Sequence, residues 1–210
     1  MTRQIDTHRD HILLTGLPDV VFDGWAVSTF ETALKNAGED PALVRAVFPG
    51  GVADIVAHFS DWADVSMIDA LADITPEELR VRDRIRAALL ARFNGLAPWK
   101  EQVRMASTWW AVPGRQTMAA KCVWRTADCI WDWAGDIATD YNRYTKRALL
   151  CGVLTSSTVA WLNHSGDDDA ALEEFIDRRI DRIMTLGKMM GRIMPGKKDN
   201  NKRSGKGHSA

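Results

Sequence analysis

Long apolar runs are missing from this 210-residue chain. A helical membrane span needs roughly 18 or more such residues in a row, so no segment reads as crossing a bilayer. The opening MTRQIDTHRDHILLTGLPDV lacks the cationic flank and apolar core of a secretory signal, and lacks the Arg- and Ser-rich character of a transit peptide. A cytoplasmic address is the expectation. Cysteine is scarce: Cys122, Cys129 and Cys151 are an odd set without metal-ligand spacing, which reads as reduced, buried thiols. Proline disappears between Pro113 and Pro195, and β-branched strings are few throughout. An 81-residue proline-free stretch predicts long helices and leaves no strand candidate. Also absent are a Gly-rich phosphate loop, a nucleophile elbow and a CxxC pair. The chain therefore reads as non-catalytic, with no catalytic residue, cofactor or metal ligand assigned. His8 and His11 have helical ligand spacing but no third ligand nearby, and His58 and His164 stand alone.

What is present is a globular composition, 46% hydrophobic and 26% charged, with helix signals throughout. Trp25, Val27, Phe30, Ala33, Leu34 and Ala37 recur at three- and four-residue intervals before Gly38. Asp40-Pro41 looks like a cap with proline at the first helical position, opening a short helix that Pro49-Gly50-Gly51 ends. Thr75-Pro76-Glu77-Glu78 predicts a capping box for a helix ending near Asn94-Gly95. Pro98 to Val112 is another, and longer helices are expected over 115–134, 139–163 and 168–193. The sum is an all-α fold of about nine helices, short ones first and long ones last.

That order is the plan of a TetR-type repressor: a helix-turn-helix head over 18–72, then a ligand-binding and dimerising body over 73–194. A ligand-responsive regulator is therefore the alternative reading. Charge argues against it. The net charge of −1 conceals a head, Asp19 to Leu71, with two cations (Lys35, Arg45) against nine acids, a formal −7. Duplex binding rests on neutralising phosphates, and the helix after Gly51 offers no Arg, Lys or Gln to read bases. The head is a degenerate helix-turn-helix, and no nucleic-acid partner is expected. The opposite end, residues 188–210, carries seven cations and one acid. From Pro195 onward it lacks apolar periodicity and reads as a disordered basic tail, either solubilising or drawn to anionic membrane.

Asp128, Asp132, Asp136 and Asp140 are spaced four apart and form one stripe on a helix. It reads as an acidic ridge facing water or Arg143, Lys146 and Arg147, since a di-iron bundle would need histidines that are not there. Tryptophan is over-used, nine against two tyrosines. Trp109 and Trp110 are adjacent and Trp131 and Trp133 two apart, so one ring of each pair should face a pocket, a partner or water, or else pack irregularly. Met189, Met190, Ile193 and Met194 beside Lys188 and Arg192 suit either an ordinary helix end or an adaptable membrane contact.

The segment WRTADCIWDWAGDIATDYNRYTKRALLCGVLTSSTVAWL, residues 124–162, resembles the ubiquinone-biosynthesis accessory proteins of mitochondria and alphaproteobacteria, the Coq-nine family. The likeness resumes at EEFIDRRIDRIMTLGK and extends upstream to FDGWAVSTFETAL. The resemblance implies a TetR-like fold without DNA binding, a homodimer, and a cavity for an isoprenoid quinone intermediate or phospholipid. That cavity is assigned to Trp109, Trp110, Trp131, Met105 and Leu150. It also implies presentation of the polyprenylated intermediate to the demethoxyubiquinone hydroxylase, from the inner face of the bacterial cytoplasmic membrane. The partner-binding patch would comprise Asp136, Asp140, Asn142, Arg143, Tyr144 and Arg147, with Arg143 standing where an aromatic is usual. Membrane contact falls to Met189, Met190, Ile193 and Met194.

Overall fold

The computed structural model describes residues 2–136, 141–163, 173–182 and 185, with side chains described from residue 7 and, in the last long helix, from residue 143. Among these residues the fold is all-helical: α1 (Thr2–Gly16), α2 (Val20–Asp23), α3 (Val27–Asn36), α4 (Ala42–Val47), α5 (Val52–Ala70), α6 (Val81–Leu96), α7 (Lys100–Ala111), α8 (Gln116–Trp133) and α9 (Tyr141–Asn163). Residues 173–182 are helical as well.

Helix α5 is the spine, packing on α1, α6 and α8 through Ile55, Val56, Phe59, Ala63 and Met67. The head is closed by α1, which lies outside the 18–72 boundary expected from sequence, where no cap or proline announces it. Ile12, Leu13 and Leu17 make it part of the core against α3 and α5. At Gly16 it has no room for a side chain, since a Cβ there would run into the buried Phe30 ring. Gly16→Ala is therefore expected to destabilise by about 1–2 kcal/mol in urea unfolding, overpacking outweighing the gain in helix propensity.

Several signals act as expected. Asp40 Oδ1 accepts the Ala42 amide at 2.9 Å, opening α4, and Gly38 takes φ +82° beyond α3. The Thr75 capping box does not form. Pro76–Glu78 is one 3-10 turn, Leu79 is extended, and α6 starts only at Val81. The reason is tertiary: Arg84 reaches from α6 to donate both to Leu79 O at 2.9 Å and to Ala134 O at 2.6 Å, tying this bend to the end of α8. Helix α6 also runs through Asn94-Gly95 to Leu96.

The short helices that meet across a turn in the head are α3 and α4, and α4 is only six residues long; the helix after Gly51, expected to be the base-facing one, is instead the long spine α5. Arg45, the one cation of α4, is paired with Glu31 at 2.7 Å. Including α1 adds Arg3 and Arg9 but also Asp6 and Asp10, so the head stays at −7. The head is fastened to the body by a buried polar bridge, in which Trp25 Nε1 donates to Gln102 O and Gln102 Nε2 donates to Leu17 O, at 3.2 and 3.1 Å.

Candidate functional site

Among the described residues, α8, α9 and the 173–182 helix line a groove of about 1040 Å³. Its floor is set by small residues. Ala148, Gly152, Ser156 and Ala160 lie four apart on one face of α9, and Ala119 and Ala120 face them from α8. Val123, Trp124, Val159 and Phe175 form the walls, so the lining is almost wholly apolar, with Arg179 at the rim. Small side chains at successive helical turns keep two helices from filling the space between them, which is how an all-α body leaves room for a guest.

Next to the groove, α8 and α9 are joined by an ionic clamp. Arg147 sits on the α9 face toward α8 with 1% of its side chain exposed. Its Nε donates to Asp128, its Nη2 to Asp132 at 3.0 Å and its Nη1 to Asp136 at 3.1 Å. Lys146 Nζ adds a bond to Asp136 at 2.6 Å, and Arg143 Nη2 one to Asp128 at 3.1 Å. Burial alone would raise the Asp128 pKa, but its bonds to Arg147 and Arg143 hold it below the usual carboxylate range. Burial likewise works against the Arg147 charge, and the bonds it donates to Asp128 and Asp136 overcome this, so its pKa rises. Asp128 and Asp132 of the expected ridge lie on α8, whereas Asp136 lies beyond its end, past Gly135 at φ +77°, so the three meet the predicted cations without forming one helical stripe.

The cluster separates the partner-patch residues. Arg147 and Asp136 (6% exposed) are spent inside the clamp and cannot both hold it and meet a partner directly. Arg143 is half-exposed, and Tyr144, 61% exposed with its ring 6.3 Å from Trp124, stands beside the groove. Asp140 and the Asn142 side chain lie outside the described residues, as do Met189, Met190, Ile193 and Met194.

Of the residues assigned to the lipid cavity, none lines the groove. Trp131 and Leu150 are buried in the core, and Met105 and Trp109 pack partly buried against it. Trp109 meets Trp110 edge-on at 4.8 Å and carries Arg115 over its face at 3.9 Å. Trp110 lines a smaller adjoining pocket. Rings large enough to build a cavity wall are also large enough to fill the core, and most of these do. The signal that marks the groove is the opposite one, the ladder of small residues on α9.

Burial raises all three cysteine pKa values, that of Cys129 to about 11, so at neutral pH they are protonated and unreactive. Among the described residues no group of His, Cys, Asp or Glu is placed to hold a metal ion, and no helix is long and apolar enough to cross a membrane.

Residues 116–187 match the family model described as COQ9. This is the stretch that supplies α8, α9 and the 173–182 helix, hence both groove and clamp. The chain is 26% identical over 192 residues to a Xenopus laevis protein named "Ubiquinone biosynthesis protein COQ9-B, mitochondrial", an alignment covering 88% of this chain and 65% of that one. Against the Homo sapiens protein of the corresponding name it is 23% identical over 183 residues, 84% of this chain and 57% of that one. The chain thus spans about three fifths of the length of these relatives. Among solved structures, a TetR transcriptional regulator from Nitrosomonas europaea superposes with a TM-score of 0.68 at 15% identity, over 85% of this chain and 98% of that one. That likeness is one of fold.

Proposed function

We propose that this chain, a member of the COQ9 family, is a lipid-binding accessory protein of ubiquinone biosynthesis that presents a polyprenylated intermediate to the demethoxyubiquinone hydroxylase. The observation that carries the reading is a coincidence of place: the family region is the region that builds the apolar groove. An aliphatic chain lying there gains about 0.8 kcal/mol for each methylene removed from water, and the hydroxyls in the lining, Thr155 and Ser156, are turned back onto carbonyls of α9. The exposed Tyr144, at the groove's edge and braced by the clamp, is where an enzyme taking the lipid would dock, with the chain acting as a homodimer peripheral to the cytoplasmic membrane. The head's charge of −7 weighs against the regulator alternative.

Solvent extraction of the purified protein followed by mass spectrometry tests the first half. Recovery of an isoprenoid quinone intermediate or phospholipid in near-stoichiometric amount is expected, and an extract free of lipid would overturn it. For the second half, Tyr144→Ala is expected to weaken hydroxylase retention on an affinity column about tenfold, the size of effect of a peripheral aromatic anchor. Its thermal midpoint should stay within about 2 °C, since an exposed ring contributes little to the fold. A large fall in midpoint with retention unchanged would make Tyr144 a structural residue.

A further inference from the structure

The groove does not end in an apolar wall. A second pocket of about 340 Å³ adjoins it and shares Ala119, Val123, Thr155 and Val159 with its lining. Beside the apolar Leu154 and Trp110, its remaining walls carry polar groups that the groove lacks: Ser60, Arg92, Ser107, Thr126 and Thr158. A cavity of about 150 Å³ already holds benzene, so this space admits a substituted ring or an ester-sized group, though not a second long chain.

The chemistry of this inner pocket is set by where its protons point. Ser107 Oγ donates to Val103 O at 2.9 Å, Thr158 Oγ1 to Leu154 O at 2.8 Å and Thr155 Oγ1 to Cys151 O at 2.9 Å. Thr126 Oγ1 donates to Asp64 Oδ2 at 3.1 Å. With each single proton used inward, these hydroxyls show the pocket only lone pairs. The strong donor in the lining is Arg92, which has 12% of its side chain exposed. It pairs through Nη1 with Asp64 and through Nη2 with Ser60 Oγ at 3.3 Å, a fraction of its five N–H groups.

The charges around it balance. Asp64, 8% exposed, also accepts from Arg125 Nε at 3.4 Å, and Arg125 in turn is paired with Asp61, making two cations and two anions. A carboxylate or phosphate brought here would stand beside Asp64 with both neighbouring cations already paired. A neutral oxygen accepts from the guanidinium without that penalty.

Resting on the reading of the groove as a tail site, we infer that the inner pocket is the head-group subsite of the bound lipid, selecting an uncharged, oxygen-bearing head such as a phenol, quinone or ester, with Arg92 as its specificity-determining donor. The ligand then lies with its head toward α5 and α6, and its tail runs out between α8 and α9. An exposed partner surface at Tyr144 would meet the tail side first, so delivery requires the head to be drawn back along the groove.

Calorimetric titration of the full chain with two probes that share a tail, 4-dodecylphenol and dodecyl phosphate, tests the assignment at concentrations below micelle formation. The phenol is expected to bind at least about tenfold more tightly, on the cost of placing an unpaired charge beside Asp64. Equal or tighter phosphate binding overturns the neutral-head assignment. In the charge-balanced Arg92→Met/Asp64→Asn variant the phenol should weaken about tenfold, the worth of a bond from a charged donor, and its preference over the phosphate should shrink. Unaltered phenol binding in that folded variant removes Arg92 from the subsite. Should circular dichroism show the variant unfolded, Ser107→Leu narrows the pocket from α7 with the buried pair intact, and the same weakening is expected or the assignment fails. Gly152→Leu, in the tail groove, should weaken both probes alike. If it weakens neither, the tail reading itself is wrong; if it weakens both while Arg92 and Ser107 variants have no effect, only the head subsite is.

Discussion

Arg147→Met lowers the stability of the folded chain by about 3 kcal/mol, the lower end of the range for removing one partner from a buried ion cluster. The methionine fills most of the volume but supplies no donor, leaving Asp128 and Asp132 on α8 and Asp136 just beyond its end without the guanidinium they share. The cost stays near the lower end because Asp128 keeps Arg143 and Asp136 keeps Lys146. For a chain of this size the thermal midpoint should fall by roughly 6–12 °C, measured by scanning calorimetry or circular dichroism. Arg147→Lys recovers only part of the loss, since an ammonium cannot span three carboxylates as a planar guanidinium does. An unchanged midpoint in Arg147→Met would mean that water serves these carboxylates as well as Arg147. The sign of the pH dependence follows from the depressed Asp128 pKa. Its contribution is fully present above the ordinary carboxylate value of about 4, and is lost as pH falls through the lower value it has in the fold. The difference between wild type and Arg147→Met should therefore shrink in acid.

Gly152→Leu should move stability and ligand binding in opposite directions. A Cβ built at Gly152 meets no heavy atom within 4 Å, although the residue sits mid-helix in α9 and lines the groove. Replacing a mid-helix glycine removes backbone entropy from the unfolded chain, so the variant should be more stable by roughly 0.5–1 kcal/mol. The new side chain projects into the hollow. Displacing only two methylenes of a bound tail from apolar contact costs about 1.6 kcal/mol, already more than tenfold in affinity. Urea unfolding together with lipid recovered per mole of protein reads both quantities on one preparation. A variant that is stabilised and retains its lipid would show that the guest lies elsewhere; one that is destabilised would show that the groove is narrower than its lining implies.

The legibility of this chain in its sequence varied with the kind of signal. Helices bounded by local chemistry were readable: Asp40-Pro41 before α4, Gly38 after α3, and Pro113-Gly114 before α8 act within a few residues of themselves. Helix α1 has no such boundary marker and is recognised only by what covers Ile12, Leu13 and Leu17. The Thr75 motif carries every residue of a capping box and still gives one 3-10 turn, because Arg84 secures the bend to Ala134, fifty residues away. The aspartate ridge was readable in part: Asp128 and Asp132 keep a four-residue period on α8 and face the cations of α9, whereas Asp136 meets them only past the turn at Gly135. The groove was not. Tryptophans drew the assignment toward Trp109, Trp131 and Leu150, which mostly serve the core, whereas the empty space follows Ala148, Gly152, Ser156 and Ala160.

Sequence alone determined the helical class, the acidity of the head, and the set of charges available for pairing between neighbouring helices, because composition, charge and period are additive along a chain. The tertiary structure alone decided which side chains fill space and which leave it. A cavity is a property of what several helices fail to occupy together, and no single helix carries that information. The same holds for the pairing of Arg92 with Asp64, 28 residues apart on two helices, which turns two residues with no local pattern into the polar end of an apolar groove.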